Sequence, residues 1–120
     1  MQTNILGKPL MACSKEPLTG FYRDGSCRTS KEDFASHSVC VIMTDEFLAY
    51  SKAQGNDLIT PMPEYLFPGL KAGDSWCLCA SRWKEAYDDG CAPKINPHAT
   101  SNLAAEIVDK KLLLEYAIEE

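Results

Sequence analysis

Residues 76–83 read WCLCASRW, two cysteines one residue apart and bracketed by two tryptophans. Alternation along an extended chain sends Trp76, Leu78 and Ala80 to one side and Cys77, Cys79 and Ser81 to the other. The stretch therefore reads as a strand covered on both faces. Upstream, SVCVIM (38–43) is a β-branched, nearly continuous apolar run and reads as a second buried strand. It leads into the clearest helix of the chain, which Thr44 is placed to cap, Asp45 and Glu46 suit at the positive end, and Gly55 stops. Phe47, Leu48, Ser51 and Ala53 form its expected inner face. Downstream, Ser81 is placed to cap a short helix over 82–89, ended by Gly90. From Thr100 onward the chain holds one or two further short helices, with Asp109 as a second cap. Strand then helix, twice, after an irregular start over 1–36, predicts an α+β fold. We expect a small central sheet with short helices, in one compact domain over 1–120. A barrel-like closure of the sheet is the alternative.

Composition narrows the function classes. The chain has 120 residues, 45% of them hydrophobic, enough to bury a core without metal or disulfides. Twelve basic residues against 17 acidic ones give a net charge of -5, which is the wrong sign for a nucleic-acid surface. Arg23, Arg28 and Lys31 cluster, but Asp24, Glu32 and Asp33 dilute them. No apolar run approaches the roughly 20 residues of a membrane helix, so no membrane partner is expected. Leu10-Met11-Ala12-Cys13 resembles a lipoprotein cleavage box, but Gly7, Lys8 and Pro9 interrupt the apolar stretch that should precede it. The expectation is a cytoplasmic protein whose six cysteines are free thiols, with no cofactor and no metal.

The Cys77/Cys79 pair admits several readings. A bridge between them would be strained, and no Cys-x-x-Cys redox motif is present. The plainest reading makes them small hydrophobes of the core, at least one of them inert. In the alternative, Cys77 or Cys79 is a nucleophile with His37 as its base. Cys40 lies three residues after His37 and would face away from it on a strand, so Cys79 with His37 is the candidate catalytic pair. A structural zinc site drawn from His37, Cys40, Cys77 and Cys79 is the third reading, although neither ligand spacing is a zinc signature. Ser81-Arg82-Trp83-Lys84 matches a Ser-x-x-Lys motif but lacks that motif's partner segments.

Two other stretches suggest a ligand pocket. GFYRDG (20–25) offers a cation, a carboxylate and stacking faces at a turn. Residues 56–74 hold three prolines and two glycines, a loop long enough to cover a binding site. We expect a pocket for a small polar or anionic molecule, walled by that turn, that loop and the helix start at Arg82. Its candidate ligand-binding residues are Tyr22, Arg23, Asp24, Asn56, Asp57 and Arg82, with Arg23 and Arg82 together recruiting an anion. Leu112, Leu113, Leu114 and Tyr116 offer a surface for a partner or for homo-oligomerisation.

NILGKPL, TGFYRDG with Cys27, the run from His37 to Ala86, and GCAP carry a resemblance to the family catalogued as domain of unknown function 2237. It spans about residues 4–117. The resemblance implies a small, stand-alone bacterial protein of one domain and brings no activity with it. Its pattern includes Tyr22, Arg23, Asp24, Cys27, His37, Cys40, Asn56, Asp57, Trp76, Cys77, Cys79, Arg82 and Trp83. The family pattern has histidine where this chain has Ser101, and an aliphatic residue where it has Cys91. A catalytic role for that histidine would therefore not carry over.

Overall fold

The two apolar runs pair as neighbouring antiparallel strands. The computed structural model describes residues 2–15, 18–33, 36–65 and 67–118. Strand β1 is His37–Ile42 and β2 is Ser75–Cys79; helices α1, α2 and α3 are Asp45–Ala53, Ala80–Asp88 and Lys110–Glu115. Short 3-10 turns at Pro63–Tyr65, Pro97–Ala99 and Asn102–Glu106 complete the elements. The fold is α+β, compact, and built on a two-stranded sheet. The barrel-like alternative is not supported.

The faces of the sheet differ as alternation requires. Val39, Val41, Trp76 and Leu78 join Met43, Phe47, Leu48, Trp83, Ile95 and Leu113 in the main core. Cys40 and Cys77 sit in a second, smaller cluster with Cys27 and Ala99. Trp83 is fully buried, and its indole N–H donates to the Pro93 carbonyl at 3.1 Å, so the burial strands no polar group.

Thr44 caps α1 as expected, its hydroxyl accepting from the Phe47 N–H. Phe47, Leu48 and Ser51 face inward, but Ala53 is exposed. Two residues turn a helix by about 200°, which carries Ala53 away from the face of Ser51. The start of α2 also differs from expectation. Cys79, not Ser81, holds the N-cap position, and its side chain makes no cap bond. The strand stops early because Ala80, fully buried, donates its N–H to the Ser36 carbonyl, and the chain turns into the helix there.

The proline-rich loop packs onto the core through Leu58, Phe67 and Leu70. Its fold depends on Gly69, at φ +81°, where a Cβ would stand 2.3 Å from the Ile59 carbonyl oxygen. At the C-terminus Ser101 caps Asn102–Glu106 and Asp109 caps α3. Of the leucine-rich end, Leu113 is buried and Leu112 and Tyr116 pack on the core, while Leu114 is exposed.

The expectation of six free thiols is corrected. Cys13 is bonded to Cys40 and Cys27 to Cys77, leaving Cys79 and Cys91 free. Cys40 and Cys77 are cross-strand partners in register, and the irregular N-terminal segment lays Cys13 and Cys27 over them. Bridges across separations of 27 and 50 residues tie that segment to the sheet. Each constrains the unfolded chain by roughly 3–4 kcal/mol in the loop-entropy account.

Candidate functional site

A β-bulge makes the site. From Val39↔Leu78 to Ile42↔Ser75 the register is regular, and continued unbroken it would set His37 opposite Ala80. The register slips between His37 and Val39, so that His37 faces Cys79 instead. Bulges re-aim side chains in this way.

The approach to β1 fixes the histidine. The Ser36 N–H donates to the Asp33 carbonyl at 2.9 Å, and Ser36 adopts φ 52°. One buried carboxylate holds His37 twice. Asp33 accepts from the His37 backbone N–H and from Nδ1, both at 2.7 Å, and from the Thr29 hydroxyl at 2.9 Å. With Nδ1 taken, Nε2 is the nitrogen left for Cys79. The Phe21 ring stacks on the imidazole, centroids 6.1 Å apart.

The imidazole pKa is pushed up to about 9. Its hydrogen bond to Cys79 is the largest cause; burial opposes the rise, and the charge of Cys79 and the contact with Asp33 add to it. The raised pKa favours the charged ring, held by the Asp33 carboxylate at Nδ1. Cys79 also holds the N-cap position of the nine-residue α2, its side chain free of any cap bond.

Cys79 and His37 open onto a pocket of about 240 Å³ whose lining includes Gly20, Phe21, Arg23, Asn56, Leu58 and Trp76. Arg23 follows the Gly20 turn with φ 54°, its N–H donating to the Gly20 carbonyl, and its guanidinium lies 5.1 Å from the centre of the Trp76 ring. Arg23 and Ser36 are the non-glycine residues with positive φ among those described, and both flank this site. Such conformations cost about 1 kcal/mol or more each and gather where a structure fixes side chains for use.

Of the residues singled out in the sequence, Cys79, His37, Arg23 and Asn56 share this pocket, together with Trp76 and the bonded Cys77. Asp57 lines an adjoining groove with Arg23, and its carboxylate accepts from the Thr60 hydroxyl and from the Ile59 and Thr60 N–H groups. Tyr22 turns away, to the Ser30 hydroxyl and the Arg28 guanidinium. Asp24 pairs with Arg28 at 2.8 Å and accepts from the Ser26 N–H. Arg82 does not join Arg23. Its guanidinium donates to the Gln54 carbonyl and to Glu85, so α2 serves the pocket through Cys79. Cys77 is buried, but as a disulfide partner of Cys27 rather than the free core thiol expected, whereas Cys79 is free and half-buried in the pocket wall. The donor set His37, Cys40, Cys77 and Cys79 is not assembled as one site, because Cys40 and Cys77 are bonded elsewhere. Asp33 was missed in the sequence. Its spacing to His37 was visible, but such a spacing has meaning only once the carboxylate is known to reach the ring.

The site thus sets a half-buried thiol at a strand-to-helix junction, faced by an imidazole that a buried carboxylate holds. The chain belongs to the family of uncharacterised proteins conserved in bacteria known as domain of unknown function 2237, whose model matches residues 3–117. No curated protein matches it. None of the helices described is long and apolar enough to cross a membrane.

Proposed function

We propose that the protein is a thiol-dependent enzyme that holds a small anionic substrate in the Arg23 pocket and attacks it with Cys79. The observation that carries this reading is the line Asp33–His37–Cys79, in which a buried carboxylate holds the imidazole and the imidazole faces the one free thiol that lines the pocket among the described residues. In an acyl transfer the Cys79 sulfur forms a bond to the acyl carbon. The bond to the leaving group breaks, and His37 Nε2 gives that group its proton. Water then attacks the thioester, returning a proton to His37 and releasing the acid. Asp33 keeps Nδ1 protonated and the ring aimed. Arg23 offers a planar fork to a carboxylate or phosphate, and Asn56 a polar contact beside it. A pocket of about 240 Å³ suits a small molecule. In the cytoplasmic setting the sequence suggests, Cys79 stays reduced and ready to react.

The test is acylation by small thioesters that carry a distal carboxylate, read as an acyl adduct by intact mass. The wild type forms the adduct at Cys79, Cys79→Ser forms none, and Arg23→Gln loses more of the reaction with the carboxylate thioester than with a neutral one. Wild type that binds such a compound in a thermal-shift assay, yet is never acylated, makes the pocket a binding site without turnover.

A further inference from the structure

We propose that Cys13, Cys27, Cys40 and Cys77 are a second site: with both bridges open, their thiolates hold one zinc ion. This stands independently of the Cys79 chemistry. Cys40 and Cys77 are register partners across the two strands, yet neither bonds to the other. Each reaches instead to a cysteine of the N-terminal segment. The result is two bridges packed together, with the sulfurs of Cys13, Cys27 and Cys77 all within 4.8 Å of one another. Cys40 is bonded to the first of these. Four thiolates around zinc, at about 2.3 Å from the metal, stand about 3.8 Å apart. Three of the four sulfurs already lie near that scale and Cys40 is held to them through Cys13, so opening the bonds leaves the sulfurs to spread by side-chain rotation. Cys27, Cys40 and Cys77 are at most 1% exposed, which suits a closed structural site rather than one that admits substrate. The donors come from two strands and two loops, so the ion would join the same four segments that the bridges join.

The chemistry is set by compartment. Each bridge takes two electrons and two protons from one equivalent of a dithiol, which leaves as its own disulfide. The four protein thiols then give up their protons as zinc binds. In a reducing cytoplasm bridges open in this way and metal-bound thiolates persist, whereas under oxidising conditions the disulfides are the stable form.

The experiment reduces the full chain with a phosphine, removes the reductant without oxygen, and titrates cobalt(II). The expected result is one cobalt per chain with the visible bands of tetrahedral thiolate coordination, displaced by an equal amount of zinc. Cys79→Ser keeps these bands and Cys27→Ser loses them. Because Cys27→Ser stands to lose its fold as well, circular dichroism follows zinc addition to the reduced wild type, with thermal stability expected to rise. The proposal is overturned by reduced wild type that takes up no cobalt, by equal uptake in the bridged protein, by bands that depend on Cys79, or by a stability unchanged by zinc.

Discussion

His37 stands opposite Cys79 because β1 carries an extra residue before Val39. Without that slip the imidazole would lie opposite Ala80 and away from the Cys79 thiol. The bulge therefore joins a fold-level irregularity to the only thiol that opens on the pocket among the described residues. It also makes the site depend on groups that hold the slipped register, chiefly the Asp33 carboxylate and the Ser36 carbonyl that accepts from Ala80.

Asp33→Asn tests that dependence. Three donors converge on the Asp33 carboxylate: the His37 N–H, the ring Nδ1–H and the Thr29 hydroxyl. An amide keeps one acceptor oxygen and sets its own N–H groups against donors. We expect a loss of about 1–3 kcal/mol in unfolding free energy by urea titration. The His37 pKa, followed by NMR, should fall from its raised value. An unchanged pKa would remove Asp33 from the site.

The stability of the protein should carry the signature of His37. Its pKa is raised in the folded state from 6.5 to about 9, so folding binds this proton more tightly. The resulting stabilisation is fully present below about pH 6.5 and is lost as pH rises through about 9. The difference in unfolding free energy between wild type and His37→Gln should shrink across that window. A difference that grows with pH would contradict the assignment.

Gly20 is the backbone element that lets the 20–25 turn approach the site. At φ +100° it admits no ordinary side chain, and a Cβ would stand 2.3 Å from the Ser26 carbonyl oxygen. Gly20→Ala should lower the melting temperature by about 4 °C or more. Gly55→Ala, at φ +93° but with open space around the Cβ, carries backbone strain alone and should cost less. Equal effects at the two positions would mean that the close approach does not matter.

Opening the Cys13–Cys40 and Cys27–Cys77 bridges under a metal chelator should cost several kcal/mol of unfolding free energy, because the N-terminal segment is tied to the sheet largely through them. Calorimetry of the reduced and bridged forms measures this. A melting temperature that does not move would show that hydrogen bonds such as the one the Cys77 N–H donates to the Thr19 hydroxyl hold the segment alone.

Much of this architecture was legible from the residues. Both strands, the Thr44 cap and the separation of Trp76 and Leu78 from Cys77 follow from local patterning, which depends on neighbours in sequence. What was not legible depends on neighbours in space. Ser81 and Cys79 are both acceptable at a helix start, and the choice fell to Cys79 because Ala80 bonds to Ser36. Cys13 and Cys27 lie in a segment without periodicity, so nothing local said which sulfurs they would meet. Arg82 looked like a partner of Arg23 by residue type, but its Nη1 turns to the Gln54 carbonyl and to Glu85. The bulge has no sequence signal, and with it went Asp33.

The central claim is that Cys79 is a nucleophile made ready by His37. The most direct measurement is the rate at which iodoacetamide alkylates Cys79, mapped by mass spectrometry, at pH 6.5 in wild type and His37→Gln. Cys91 serves as the internal reference, a thiol whose pKa burial and nearby carboxylates push up. The account predicts that Cys79 reacts at least about tenfold faster than Cys91 in the wild type, and that His37→Gln removes most of that advantage. Cys79 reacting no faster than Cys91, or equally fast with and without His37, would contradict it.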